Sequence, residues 1–362
     1  MSNPVEQLNE QGQAVWLDSI DRSTILSGEL ASLVDGGFIT GLTSNPTIFQ
    51  KAISGSDAYL PQLSELRKRH PTPYRAFLEL AKEDLQLAAG VLRQVYDDSD
   101  GRDGFVSYEV RAGSTDAMVA EGLLMYASIS LPNVMIKIPG TQEGIEAVAR
   151  LLTAGVNVNV TLLFDGDTYE HFADAFMRGL EARQASGGQI DNLASVASFF
   201  VSRIDTKVDQ RLAPDSGLRG RVAIANARVA YQRFQRLFSS KRWIALAAAG
   251  ARVQRPLWAS TGTKNPSYSD VMYVEELVAP QTVNTMPSAT LHSFLDHGEV
   301  HAFGEEELAS AQEIIQEAAA VGIDLAEMGT ELLAEGLAAF DRDFAALLQI
   351  IEANLNAEVP IR

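Results

Sequence analysis

Hydrophobic and polar positions along the chain follow two alternating periods. Short runs rich in β-branched and aromatic residues, ended by Gly, Pro or Asn, predict strands over Ala14–Ile20, Phe38–Ser44, Phe105–Val110, a run from Val134 to Pro139, Asn157–Phe164, Val196–Ser202, Pro256–Ser260 and Thr282–Met286. Longer stretches between them predict helices over Ser23–Val34, Asp57–Arg69, Pro73–Tyr96, Thr115–Ala127, Gln142–Thr153 and Thr168–Gln184, then, after the Val196–Ser202 strand, through about Phe238 and near Trp243–Ala249. Helices near Leu291–Leu295, Glu305–Val321 and Leu325–Leu355 follow the last strand. Ser23 or Thr24 suits an N-cap, and Gly36-Gly37 a stop. A residue before proline is pushed to extended geometry, which holds Asn45 out at a strand end before Pro46.

Alternating strand and helix predicts a parallel sheet with crossover helices, and the strand count is the one that closes a (β/α)₈ barrel. The competing open, doubly wound sheet would bring a phosphate-binding glycine fingerprint after an early strand. The chain has neither G-x-G-x-x-G nor a P-loop. The expected organisation is one barrel domain over residues 1–362. Residues 1–13 form a polar lead-in compatible with a helix, and residues 303–362 a helical extension. No solenoid period or low-complexity linker interrupts it.

Composition narrows the function classes. The 362 residues are 46% hydrophobic, enough for a large core, and carry a formal net charge of −18. That charge argues against nucleic acid and anionic membrane as partners, and an anionic substrate would need a locally positive pocket. The absence of cysteine excludes disulfides, thiolate metal sites and a cysteine nucleophile, and fits a reducing cytoplasm. The N-terminus lacks the basic and apolar regions of a signal peptide. No apolar run approaches the ~20 residues of a membrane span; Ile244–Gly250 is far too short.

Candidate chemistry centres on Lys137. Side chains alternate along a strand, so Val134, Ile136 and Ile138 share one face and Lys137 lies on the other with Met135. An ammonium among Met and Ile is costly to keep charged, and an amine that has lost its proton can attack a carbonyl. Taken alone, Lys137 is better read as a packed stem with its head in water. The other strands change that balance. Asp18, Thr43, Asn45 and Glu109 lie near the ends of the first three strands, and Asn159 and Thr161 share a face of the fifth. Ser198 and Ser202 share a face of the sixth with Phe200, Arg203 begins the turn after it, and Ser260 ends the seventh. Barrel enzymes collect their reactive groups at those ends. The set suits a Lys137 iminium acting as electron sink for carbon–carbon cleavage, with Asp18 and Glu109 dividing the acid and base roles. An ion pair between the lysine and an acid is compatible with that chemistry.

Two apparent metal motifs fail. His297-Gly-Glu-Val-His301 lacks the H-E-x-x-H order and reads as a surface loop. Asp98-Ser-Asp-Gly resembles a calcium loop, but Tyr96 and Ser107 occupy its first and last ligand positions. No metal site is expected.

The motifs together resemble one family. Leu42-Thr-Ser-Asn-Pro-Thr-Ile-Phe, Val106-Ser-Tyr-Glu-Val, Ile136-Lys-Ile-Pro-Gly-Thr, Asn157-Val-Asn-Val-Thr-Leu-Leu-Phe and Ser198-Phe-Phe-Val-Ser-Arg-Ile are similar to the transaldolases. Trp258-Ala-Ser-Thr-Gly-Thr-Lys-Asn-Pro and Thr282-Val-Asn-Thr-Met-Pro resemble the longer bacterial form, and the likeness runs from about Trp16 to Met286. The resemblance implies a (β/α)₈ class I aldolase without metal or organic cofactor. Its partners would be sugar phosphates, and it would move a dihydroxyacetone unit from sedoheptulose 7-phosphate to glyceraldehyde 3-phosphate. It implies Lys137 as the Schiff-base lysine, Asp18 as the acid/base at the sugar hydroxyl, and Glu109 acting through a water that Thr161 helps to hold. Asn45 and Asn159 would bind hydroxyls, Thr43 and Ser198 would line the site, and Phe200 would exclude water. Arg203, Ser260 and Lys264 would take the phosphate. Where many transaldolases have Ser-x-Arg-Asn, this chain has Ser260-Thr-Gly-Thr-Lys264-Asn265, a point charge in place of a guanidinium fork. The motifs leave open a fructose 6-phosphate aldolase that releases free dihydroxyacetone. Intact Lys137, Asp18 and Glu109 disfavour a non-catalytic sugar-phosphate barrel. The C-terminal helices suit docking either on their own barrel or on a second chain, as in a homodimer.

Overall fold

Eight parallel strands pair in chain order and close into a barrel. They are β1 (Gln13–Leu17), β2 (Gly41–Leu42), β3 (Phe105–Glu109), β4 (Val134–Pro139), β5 (Asn157–Leu163), β6 (Ser195–Phe200), β7 (Gln254–Ala259) and β8 (Thr282–Met286). Helices connect them, and further helices follow β8, so the chain is a (β/α)₈ barrel with a helical C-terminal extension. The structure, a computed structural model, describes residues 3–356. Among those residues no helix is long and apolar enough to cross a membrane.

The lead-in carries a helix, Pro4–Glu10, capped by Asn3, with Val5 and Leu8 buried. Elsewhere the observed elements differ from the sequence pattern where turn chemistry overrides hydrophobicity. The first helix breaks into Arg22–Leu26 and Glu29–Asp35 because Gly28 takes a left-handed φ of 82°. The stretch Pro73–Tyr96 divides into Pro73–Val91 and Arg93–Asp98. The second strand is only Gly41–Leu42, although pairing reaches beyond it: Thr43 N–H donates to Leu17 O at 2.9 Å. Asn45 is extended, as expected, but Pro46 does more than end a strand. It opens a helix, Pro46–Gly55, that the pattern did not reveal, with Asn45 as its N-cap. Likewise Ser202 and Arg203 are not strand and turn but the first residues of the helix Ser202–Arg211.

Register decides which side chains meet inside the barrel. Glu109 pairs with Lys137, Lys137 with Asn159 and Asn159 with Val196, which places these four on one face. That face looks inward. Val134, Ile136 and Ile138 look outward; Gly122 and Gly144 of the surrounding helices come close to Ile136 and Ile138. At the base of the interior Trp16 is fully buried, and Gly41 makes room for it: a Cβ there would stand 2.6 Å from the indole.

The helix Leu325–Asn356 crosses the barrel mouth of its own chain. Ion pairs from Lys207 to Glu331 (2.8 Å) and from Arg211 to Glu331 (2.7 Å) hold it to the helix after β6. Thr47 donates to Asp343, and Arg67 to Asn354 O, on the far side. Phe344 wedges between Phe77 and Tyr74, with ring centroids 5.1 and 6.1 Å away. Gly329 and Gly336 bring this helix down onto the end of β5. A Cβ on Gly336 would lie 3.1 Å from Leu162 Cδ2.

Candidate active site

Lys137 rises from β4 into the barrel interior and is 4% exposed. Its Nζ donates to Ser44 O at 3.1 Å and lies 3.0 Å from Glu109 Oε2. Ser44 O is available because the chain leaves β2 there in extended form before the cap at Asn45. A buried amine therefore has one carboxylate and one carbonyl beside it, and the adjoining cavity at its tip.

The two acids sit in different surroundings. Burial pushes the Glu109 carboxyl above the usual carboxylate range; Lys137 and Arg203 pull it back and Asp18 pushes it further up. Asp18 follows β1 and accepts a hydrogen bond from Thr43 Oγ1 at 2.7 Å. The Thr43 hydroxyl also lies 2.8 Å from Thr285 Oγ1, so the ends of β1, β2 and β8 are tied through one hydroxyl. Asn159 is fully buried in register with Lys137. Its amide donates to Ser107 Oγ at 3.1 Å and accepts from Ser198 Oγ at 2.7 Å. Two hydrogens on its nitrogen leave one donor free. Thr161 Oγ1, above it on β5, is buried without a hydrogen-bond partner among the described residues. β5 then bulges: Leu162 takes φ of 59° and the register with β6 shifts.

A corner of positive charge closes the other end. Arg203 is half-buried, with its guanidinium carbon 5.0 Å from the Phe200 ring centroid. Desolvation lowers its pKa, and the nearby Glu109, Asp18 and Glu335 oppose that shift. Neither Arg203 nor the exposed Lys264 has an ion-pair partner among the described residues, whereas Lys207 and Arg211 beside them are paired. Ser260 directly follows β7 in a left-handed conformation, φ 58°, and its hydroxyl lies 2.9 Å from that of Ser202. A non-glycine residue in this region stores strain, and such strain concentrates at functional sites.

These groups surround a cavity of about 120 Å³ lined by Asp18, Thr43, Asn45, Lys137, Ser198, Phe200, Arg203, Ser260 and Lys264. Glu109, Asn159 and Thr161 stand behind that wall. The lining also includes Gly262, Thr285, Pro287 and Phe340, which sequence reasoning missed. Thr285 was legible in principle, since it is a hydroxyl residue one position before the end of the eighth strand. Phe340 was not, because its apolar spacing reads as an ordinary packed helix face. Asn45 uses its carbonyl oxygen to cap Ile48 N–H at 3.0 Å, which leaves its amide nitrogen for a ligand. The two metal look-alikes lie away from this cavity. His297 is exposed and contacts Asp270 and Asp296, and no group of three or more His, Asp or Glu suited to a metal occurs among the described residues.

Comparison with known proteins gives one consistent match. The chain matches the family described as Transaldolase/Fructose-6-phosphate aldolase over residues 15–351. It is 46% identical to a transaldolase of Frankia alni, with 98% of each chain covered. It is 45% identical to transaldolases of Saccharopolyspora erythraea, over 97% of this chain and 98% of that one, and of Thermobifida fusca, over 99% and 100%.

Proposed function

The chain belongs to the transaldolase/fructose-6-phosphate aldolase family, and from that premise we propose that it is a transaldolase. It carries a dihydroxyacetone unit from sedoheptulose 7-phosphate to glyceraldehyde 3-phosphate as a Schiff base on Lys137, a step of the pentose phosphate pathway. The observation that carries this reading is the buried Lys137 amine, 3.0 Å from Glu109, at a cavity whose rim presents the unpaired Arg203.

The geometry supports each step. Burial makes Glu109 the better proton acceptor, so it takes the Lys137 proton and frees the amine to attack the ketose carbonyl. Loss of water from the carbinolamine needs an acid. A water held between Glu109 and the unpartnered Thr161 hydroxyl relays that proton. Asp18 removes the proton of the C4 hydroxyl. The C3–C4 bond breaks, its electron pair moves into the iminium to give an enamine, and erythrose 4-phosphate leaves. The enamine then attacks the aldehyde of glyceraldehyde 3-phosphate, Asp18 returns its proton, and hydrolysis releases fructose 6-phosphate. The iminium is itself the electron sink, so the cycle needs no metal or organic cofactor. Asn45 and Asn159 hold hydroxyls through their free amide hydrogens, Thr43 and Ser198 line the unit, and Phe200 shields it from water. Arg203, Ser260 and Lys264 take the phosphate. Sugar phosphates as substrates, the acidic surface and the lack of cysteine support a cytoplasmic enzyme with no nucleic-acid or membrane partner.

Borohydride reduction in the presence of fructose 6-phosphate tests the reading. It should add a sugar-derived mass at Lys137 and abolish turnover. An unmodified Lys137 with full activity retained would overturn it.

A further inference from the structure

We propose that Phe340, on the C-terminal helix, is a specificity-determining residue that sets how often the bound dihydroxyacetone unit is transferred rather than released. The inference rests on the transaldolase reading of the site. Phe340 is half-buried and belongs to two cavities at once. One is the main cavity of about 120 Å³ with Lys137 and Asp18. The other is a space of about 20 Å³ bounded by Glu109, Arg111, Pro139 and Leu337. That second space suits a single water, which needs roughly 10–15 Å³. Glu109 borders it and not the main cavity, so the phenyl ring stands between the sugar compartment and a water-sized space at the acid.

The enamine on Lys137 has two fates. It attacks an aldehyde acceptor, forming a carbon–carbon bond and completing transfer. Alternatively its carbon takes a proton to give an iminium, water adds across the C=N bond, and free dihydroxyacetone departs as the amine is restored. Only the second fate needs a proton donor and water at the reacting carbons while the acceptor is absent. An apolar ring between the enamine and that second space keeps a further water, beyond the one Glu109 shares with Thr161, away from the enamine carbon until the acceptor has entered. The ring is held where it is by its neighbours on the helix. Gly336, one turn earlier, lets the helix lie against Leu162 and Arg203, and Phe344, one turn later, is wedged against Phe77. Phe340 is thus positioned from a segment outside the strand ends that carry the rest of the site.

The test is the ratio of free dihydroxyacetone to transfer product, measured with fructose 6-phosphate as donor and a fixed concentration of erythrose 4-phosphate, each preparation normalised to borohydride-labelled Lys137. Phe340→Ala and Phe340→Val join the two cavities and should raise the ratio about ten-fold, the scale on which one apolar group in a pocket discriminates. The ratio is insensitive to a mere loss of folded enzyme, because both products come from the same labelled population. An unchanged ratio in either folded variant, with Lys137 still labelled, overturns the role of Phe340. Failure of wild-type Lys137 to be labelled overturns the transaldolase reading itself, and this inference with it.

Discussion

At the scale of single residues, the site is a pair of charges taken out of water together. Lys137 and Glu109 are 5% and 4% exposed at the side chain and 3.0 Å apart. Removing one partner of such a pair leaves the other buried and uncompensated. Lys137→Met should therefore abolish turnover while the barrel still folds, and should drive the Glu109 carboxyl further up. A carboxyl raised in the folded state favours folding at low pH and opposes it as pH rises, so this variant should lose stability relative to wild type between acid and neutral pH. Denaturant midpoints at several pH values check the sign; a loss that grows toward acid would contradict it. Arg203→Ala should weaken phosphorylated substrates far more than neutral analogues, because Arg203 has a ring beneath it and no ion-pair partner among the described residues. Equal losses of kcat/KM for both substrate types would contradict that role. Lys137 was legible in the sequence only because reactive residue types recur at the ends of the other strands; its own run, closed by Pro139-Gly140, read as a packed stem. Its partnership with Glu109 was legible only as a possibility, since it depends on register between β3 and β4, which no local pattern encodes.

At the scale of elements, the C-terminal helix turns an open barrel mouth into a partly covered one. Its ion pairs to Lys207 and Arg211 reach solvent-exposed carboxylates and hold it only weakly. The close approach at Gly336 positions it more tightly. A Cβ there would meet Leu162 Cδ2 at 3.1 Å and Arg203 Nη1 at 3.2 Å, so the neighbours would have to give by a few tenths of an ångström. The guanidinium tip yields more easily than the leucine packed on β5. Gly336→Ala should thus displace Arg203, raising KM for phosphorylated donors about five-fold, and it gains about 1 kcal/mol of helix propensity that offsets the strain. Unchanged KM with a lowered melting temperature would show that the helix moves instead. The sequence revealed this helix and its apolar stripe. It did not reveal that the stripe faces the substrate cavity, because a core contact and a cavity wall require the same spacing. The helix Pro46–Gly55 was hidden for a different reason: Asn45-Pro46 signals both a strand end and a helix start, and only the second reading explains why Asn45 caps Ile48.

At the scale of the whole molecule, barrel closure was legible because eight strand runs alternate with helical ones, and the count leaves no other parallel architecture without a glycine fingerprint. What was hidden is how segments far apart in sequence are tied around the mouth. Asp205 is the plainest case. It lies two residues after Arg203, is 1% exposed, and accepts hydrogen bonds from Ala223 N–H at 2.9 Å and Tyr273 O–H at 3.0 Å. It thereby joins the helix after β6 to the helix Val222–Leu237 and to the short helix Met272–Glu275. No cation pairs with it among the described residues. Burial pushes its carboxyl from 3.8 up to about 6, against the pull of both hydrogen bonds. Between those values the folded chain holds a proton that the unfolded chain has released. Stability from this group is thus full below the unfolded value and falls as pH rises toward 6, by about 1.4 kcal/mol per unit and about 3 kcal/mol across the window. Above it both states are ionised and the cost stays constant. Asp205→Asn keeps an acceptor for Ala223 and an amide that the Tyr273 oxygen can accept from, but it cannot titrate. The stability of wild type relative to this variant should therefore decline from pH 4 to pH 6 and level off beyond. Urea unfolding at matched ionic strength measures it, and a difference that stays flat across that range would show that the carboxyl ionises in the folded chain as it does in the unfolded one.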